Sequence, residues 1–161
     1  MLSLAGAMTS CDLEAPSVSA MEEPNLFSVR DLAEGAVMGI HQSFGETNSY
    51  RGRFLPYYGI NTDLEWINNI DPAKIADDGK YELCTYATRP TNSQMNTDNN
   101  AWAKFYEGIE RANLCIRGLR TYADLTNPDF SQLLGEAITL RAVLYLDLVK
   151  GWGDVPGRFE P

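Results

Sequence analysis

Residues 57–69 read YYGINTDLEWINN, a stretch that mixes flat aromatic side chains with planar polar ones. Tyr57, Tyr58 and Trp66 offer apolar ring faces, while Asp63, Asn68 and Asn69 offer paired hydrogen-bonding atoms. A sugar is held by that combination. Its C–H face stacks on an aromatic ring, and its adjacent hydroxyls are bridged by an amide, carboxylate or guanidinium. Arg89 and Asn92, further along the same polar region, extend the candidate rim. The same residue types more often build ordinary turns, and a tryptophan such as Trp66 more often plugs a core.

Bond-making chemistry has no comparable signature. Glu22-Glu23 and Asp77-Asp78 are neighbours in sequence. A glycosidase pair needs two carboxyls facing each other across a cleft, one of them in an apolar setting. Asp77-Asp78-Gly79 lacks the alternating oxygen ligands and terminal Glu of a calcium loop and reads as a turn. His41, the single histidine, has no companion ligands and belongs at the surface or boundary of a helix. Cys84 and Cys115 are read as buried free thiols, Cys115 being set among apolar neighbours in a helical pattern. A disulfide between them would need their Cα atoms to come close. No cofactor, metal or catalytic residue is expected. A formal charge of −9 argues against gripping a phosphate backbone, so no nucleic acid is expected either.

The elements that position these residues are helical. Val29, Leu32, Ala33, Ala36, Val37, Ile40 and Phe44 recur at helical spacing, which predicts a helix over 28–44 capped by Ser28 with Asp31 at N3. Gly35 and Gly39 within it would let another helix approach. Residues 45–100 are irregular and rich in Asn, Asp, Thr, Gly and Tyr; a long loop in a compact domain is usually functional. From a cap at Asp98 or Asn99, Trp102, Phe105, Tyr106, Ile109, Ala112, Ile116 and Leu119 mark the core face of a second helix. Asn113 falls on its apolar side and needs a partner. A linker broken at Asn127-Pro128 leads into a third helix. There Glu136, Thr139, Asp147 and Lys150 form a narrow polar stripe, and nearly everything else is apolar. Arg141 points away from the stripe, with Glu110 or Asp154 expected to neutralise it. A helix apolar almost all round is made to be sandwiched between neighbours, as in stacked helical hairpins.

The N-terminus is expected to supply an anchor. Met1 to Ser10 is small, apolar and uncharged, and ends at Cys11 followed by Asp12, Leu13 and Glu14. Met8-Thr9-Ser10-Cys11 resembles a bacterial lipobox, with Met8 where Leu is usual and no basic region before it. This makes 1–10 a signal remnant, Cys11 the lipidation site and 11–27 a tether.

Three runs of residues carry a resemblance to a known family. They are Trp102-Ala103-Lys104-Phe105-Tyr106-Glu107-Gly108-Ile109-Glu110-Arg111-Ala112-Asn113, then Gly135-Glu136-Ala137-Ile138-Thr139-Leu140-Arg141-Ala142-Val143-Leu144-Tyr145, then Trp152-Gly153-Asp154-Val155-Pro156. Together they resemble the N-terminal half of SusD/RagB-type nutrient-uptake lipoproteins. The resemblance implies an all-α, tetratricopeptide-like helical-repeat scaffold with long irregular loops, truncated here, so that 28–161 is the first part of a longer domain. It also implies a non-enzymatic, lipid-anchored protein of the outer membrane, exposed at the cell surface. Such a protein captures an oligosaccharide, or in the RagB branch a peptide, for a TonB-dependent transporter barrel. A helical-repeat adaptor for a peptide or protein is the alternative.

Overall fold

In the computed structural model, residues 22–56, 62–64, 92 and 100–153 are described. Four α-helices and one π-helical segment kinked at Ser49 account for most of them: α1 (Glu23–Ser28), α2 (Arg30–Gly45), the π segment (Thr47–Phe54), α3 (Ala101–Tyr122) and α4 (Pro128–Trp152). The architecture is all-α, as expected.

Helix starts differ from the sequence expectations, each for a local reason. Ser28 does not cap α2. It ends α1, a short helix with Pro24 in its first turn, and the break falls at Val29 in extended conformation. This break lets Phe27 turn into the core, where its ring lies over Gly118 of α3. The cap residue of α3 is Asn100, not Asp98 or Asn99, and its side chain makes no capping bond. Its Oδ1 instead accepts a 2.8 Å hydrogen bond from Nε of Arg53. Asn127-Pro128 starts α4 instead of merely breaking the linker. Pro is well suited to a first helical position because its missing N–H has no partner there in any case. Asn127 Oδ1 accepts from the Asp129 N–H at 3.0 Å.

The turn between α3 and α4 is therefore short, residues 123–127. Asp124 closes it by accepting from the Thr126 hydroxyl at 2.6 Å and the Thr126 N–H at 3.0 Å. Those two bonds hold the Asp124 carboxyl below its usual range, the hydroxyl bond contributing most. At the other end, α4 stops at Gly153, whose φ of +84° favours glycine; its N–H reaches Val149 O at 2.9 Å.

α3 and α4 form an antiparallel hairpin, and α1, α2 and the π segment pack on one side of it. Ala33, Val37 and Ile40 of α2 meet Phe105, Ile109, Ala112, Ile116 and Leu119 of α3, with Leu133, Ala137, Leu144 and Leu148 from α4 completing the core. The glycines that permit close helix approach are not Gly35 and Gly39, which have nothing within 4 Å of an added Cβ. They are Gly108, where Leu144 Cδ1 and Ser43 Cβ would lie 2.9 and 3.1 Å from a Cβ, and Gly118 under Phe27.

Polar contacts tie the same elements together. Asn113 finds its expected partner. Its amide oxygen accepts from Nη1 of Arg141 at 2.8 Å, so Arg141 is matched by an amide where an acid, Glu110 or Asp154, was anticipated. Asp154 lies outside the described residues. Nε2 of His41 is 2.6 Å from Oε1 of Glu136, at the boundary position expected for it.

Half of the stripe on α4 faces inward, while Thr139 and Lys150 stay exposed. Glu136 and Asp147 turn toward α2 and the π segment, where Asp147 Oδ2 accepts from the Tyr50 hydroxyl at 2.6 Å. The open side is the apolar flank, with Leu146 and Val149 53% and 49% exposed beside Ile138, Ala142 and Tyr145. Among the described residues nothing covers that flank. Replacing Tyr50 with Phe should leave the mostly buried Asp147 carboxylate short of a donor, for a loss of about 1.5–3 kcal/mol in urea unfolding, the range for hydrogen bonds to charged groups.

Cys115 is buried and free. Burial pushes its thiol up to about 11. The sign follows directly. The folded state holds the proton more tightly, so the stabilisation is complete below the unfolded thiol value and declines as pH rises from about 9 toward 11. Thiol titration at pH 8 should find Cys115 unreactive in the native chain and fully reactive in denaturant; rapid native labelling would contradict its burial.

Candidate ligand-binding site

An aromatic cluster gathers where α3 begins and α4 ends, joined by rings from the end of α2 and from the π segment. Phe105 is stacked on Tyr50 with ring centroids 4.6 Å apart and meets Phe54 edge-on at 4.8 Å. Phe44 stacks on the other side of Tyr50 at 4.7 Å. Trp152 lies parallel to Phe54 at 6.0 Å and edge-on to Trp102 at 5.4 Å. Gly151 makes room for the Phe54 ring, whose nearest atom would be 3.1 Å from a Cβ there. This cluster fixes the π segment against the hairpin, and the Arg53–Asn100 hydrogen bond ties residues 53 and 100 together at the same end.

Of the residues expected to bind ligand, Asp63 and Asn92 are described. Asp63 is exposed, in a short bend where Leu64 N–H donates to Thr62 Oγ1 at 3.3 Å. Asn92, expected on the rim, is only 2% exposed, which places its amide inside the fold. Tyr57, Tyr58, Trp66, Asn68, Asn69 and Arg89 lie outside the described residues, as do Cys11 and Cys84.

Trp102 packs against the core, as its place at the start of the apolar face predicts, but it is only partly buried and lies 5.0 Å from Tyr106 along an open groove on α3. The signal available in the sequence was the ladder of Trp102, Tyr106 and Glu110, each four residues from the next, beside the core-facing positions. Burial, and secondarily the neighbouring Tyr145, holds the Tyr106 hydroxyl above its usual range. Among the described residues no group of three or more His, Cys, Asp or Glu is placed to hold a metal ion. No described helix is long and apolar enough to cross a membrane.

A helical hairpin with further helices packed on one side fits an all-α scaffold of tetratricopeptide-like type. Residues 57–161 match the SusD-like family described as starch-binding and associating with the outer membrane. The chain belongs to the SusD-like family. It is also similar to the SusD-like protein P38 of Formosa agariphila, with 29% identity over 155 residues, 94% of this chain and 28% of that protein. The chain thus spans little more than a quarter of that relative's length. No solved structure matches it.

Proposed function

We propose that this chain is part of a cell-surface lipoprotein that captures an oligosaccharide and passes it to a TonB-dependent outer-membrane transporter. The observation that carries this reading is the match of 57–161 to a family described as starch-binding and associating with the outer membrane. That range contains the whole YYGINTDLEWINN stretch. Tyr57, Tyr58 and Trp66 stack on sugar faces, and Asp63, Asn68, Asn69 and Arg89 bridge hydroxyls. Asn92, being buried, supports the site from within. The protein binds without catalysing a reaction, and acylated Cys11 moors it through the 11–27 tether.

Residues 28–161 are the N-terminal part of a longer helical domain, and its further helices cover the apolar flank of α4. The uncovered Leu146 and Val149, together with the small share of the relative that this chain spans, support that extension. Light scattering should find the 161-residue chain self-associating, and Leu146→Asp should return it to a monomer. A monomeric parent chain would remove the need for a cover.

Isothermal titration against a panel of glycans tests the binding role. Trp66→Ala should weaken binding roughly tenfold, the upper end of an aromatic stacking contribution of ~1.5 kcal/mol. Absence of glycan binding together with tight binding of a peptide would instead favour the RagB-like reading.

A further inference from the structure

We propose that the outward face of α3 is a second saccharide-stacking site, one that takes a neutral sugar and is separate from residues 57–69. The proposal rests on the glycan reading above and adds a place and a charge preference to it.

The groove there is shallow and open, with a volume of about 690 Å³, and is lined by Trp102, Ala103, Tyr106, Glu107, Glu110 and Arg111. Its aromatic wall is a corner. The Trp102 and Tyr106 rings lie 5.0 Å apart at an angle of 56°. Trp102 is braced from behind by Trp152, which lies parallel to Phe54, so the ring is held before any ligand arrives. Rigid aromatic surface loses little entropy on binding.

The polar wall is equally fixed. Arg111 donates to Gly39 O at 3.2 Å and Ser43 Oγ at 3.1 Å and lies 3.6 Å from Glu46. Glu107 accepts from Lys104 at 2.8 Å, a bond that holds the Lys104 ammonium above its usual range. Two of the three charged residues lining the groove are therefore already paired, while Glu110 presents an exposed carboxylate. A guanidinium and carboxylates beside an aromatic corner suit vicinal hydroxyls on a ring with an apolar face. An anionic ligand would meet the Glu110 charge. An apolar helix seated there would desolvate both Glu107 and Glu110, which disfavours that occupant.

Calorimetric titration with maltoheptaose, and with an oligogalacturonate of equal length as the anionic counterpart, tests this on the full chain. Glu110→Ala is a surface change that leaves the core intact, and Tyr106→Ala removes half of the aromatic corner; circular dichroism checks that both remain helical. Each should weaken maltoheptaose binding about tenfold, independently of Trp66→Ala, and the oligogalacturonate should bind at least tenfold more weakly than maltoheptaose. Maltoheptaose binding unchanged in Glu110→Ala and Tyr106→Ala but lost in Trp66→Ala would overturn the α3 site while sparing the glycan reading. Oligogalacturonate binding as tight as maltoheptaose would overturn the charge preference. Failure of the parent chain to bind any glycan would overturn both the site and the reading.

Discussion

Phe105→Ala should lower the unfolding free energy by about 3–5 kcal/mol, the range for emptying a fully buried aromatic site. Phe105 is completely enclosed and touches the rings of Tyr50, Phe54 and Trp152, with centroids 4.6, 4.8 and 6.0 Å away. Those rings come from the π segment and from the last turn of α4, so the cavity would loosen the junction that holds three elements together. Aromatic pairs add roughly 0.5–1.5 kcal/mol each beyond area burial, which pushes the expectation toward the upper end. A loss of that size is a large share of the roughly 5–15 kcal/mol that stabilises an ordinary domain. Urea unfolding followed by far-ultraviolet circular dichroism should show a lower midpoint with little change in slope. If the alanine variant is unfolded without denaturant, Phe105→Leu should be folded with a midpoint below that of the parent chain. A loss under ~1 kcal/mol for Phe105→Ala would mean that the ring is not the centre of this core, since even modest core truncations cost more.

The periodic parts of the fold were legible because burial along a helix is written every three to four residues. Phe105, Ile109, Ala112, Ile116 and Leu119 keep to that rule, and all are buried. Caps were less legible because a capping side chain has competing partners. Asn100 stands at the start of α3, but its amide oxygen is drawn to Arg53, a residue 47 positions earlier in the chain. Ser28 resembles a cap in every local respect, and it was absorbed into α1 because Phe27 has a pocket waiting on α3. Arg141 was expected beside an acid, and Asn113 met its need instead. In each case the deciding partner lies far away in sequence, where spacing carries no information.

The site divides in the same way. The proposal of YYGINTDLEWINN as a sugar site rests on residue types, since aromatic and amide side chains are counted without knowing the fold. Composition does not tell a buried amide from an exposed one, and Asn92 is buried. Nor does periodicity separate a ring at the centre of a core face from one at its edge. Trp102 sits at such an edge. Its ring meets Trp152 edge-on at 5.4 Å and lines the groove with Tyr106.

Gly118→Ala should destabilise the chain by roughly 2–4 kcal/mol, between the cost of overpacking a core and that of expelling a buried phenylalanine. In an open helix the same change would stabilise by about 0.5–1 kcal/mol, because glycine loses more backbone entropy than alanine on folding. The sign is therefore diagnostic. A Cβ at Gly118 would collide with Cδ2 and Cε2 of Phe27, so the ring must leave its pocket or α1 must lift away from α3. Gly35→Ala on α2, with nothing within 4 Å of the new Cβ, is the control and should be stabilising by about 0.5–1 kcal/mol. The double variant Phe27→Ala/Gly118→Ala separates collision from propensity. With the ring gone, Gly118→Ala should change sign and stabilise, giving a coupling of several kcal/mol between two residues 91 positions apart, well above that of sites that act independently. Additive effects of the two substitutions would place Phe27 elsewhere. They would also leave the break at Val29 without its cause, since bringing that ring onto α3 is what separates α1 from α2.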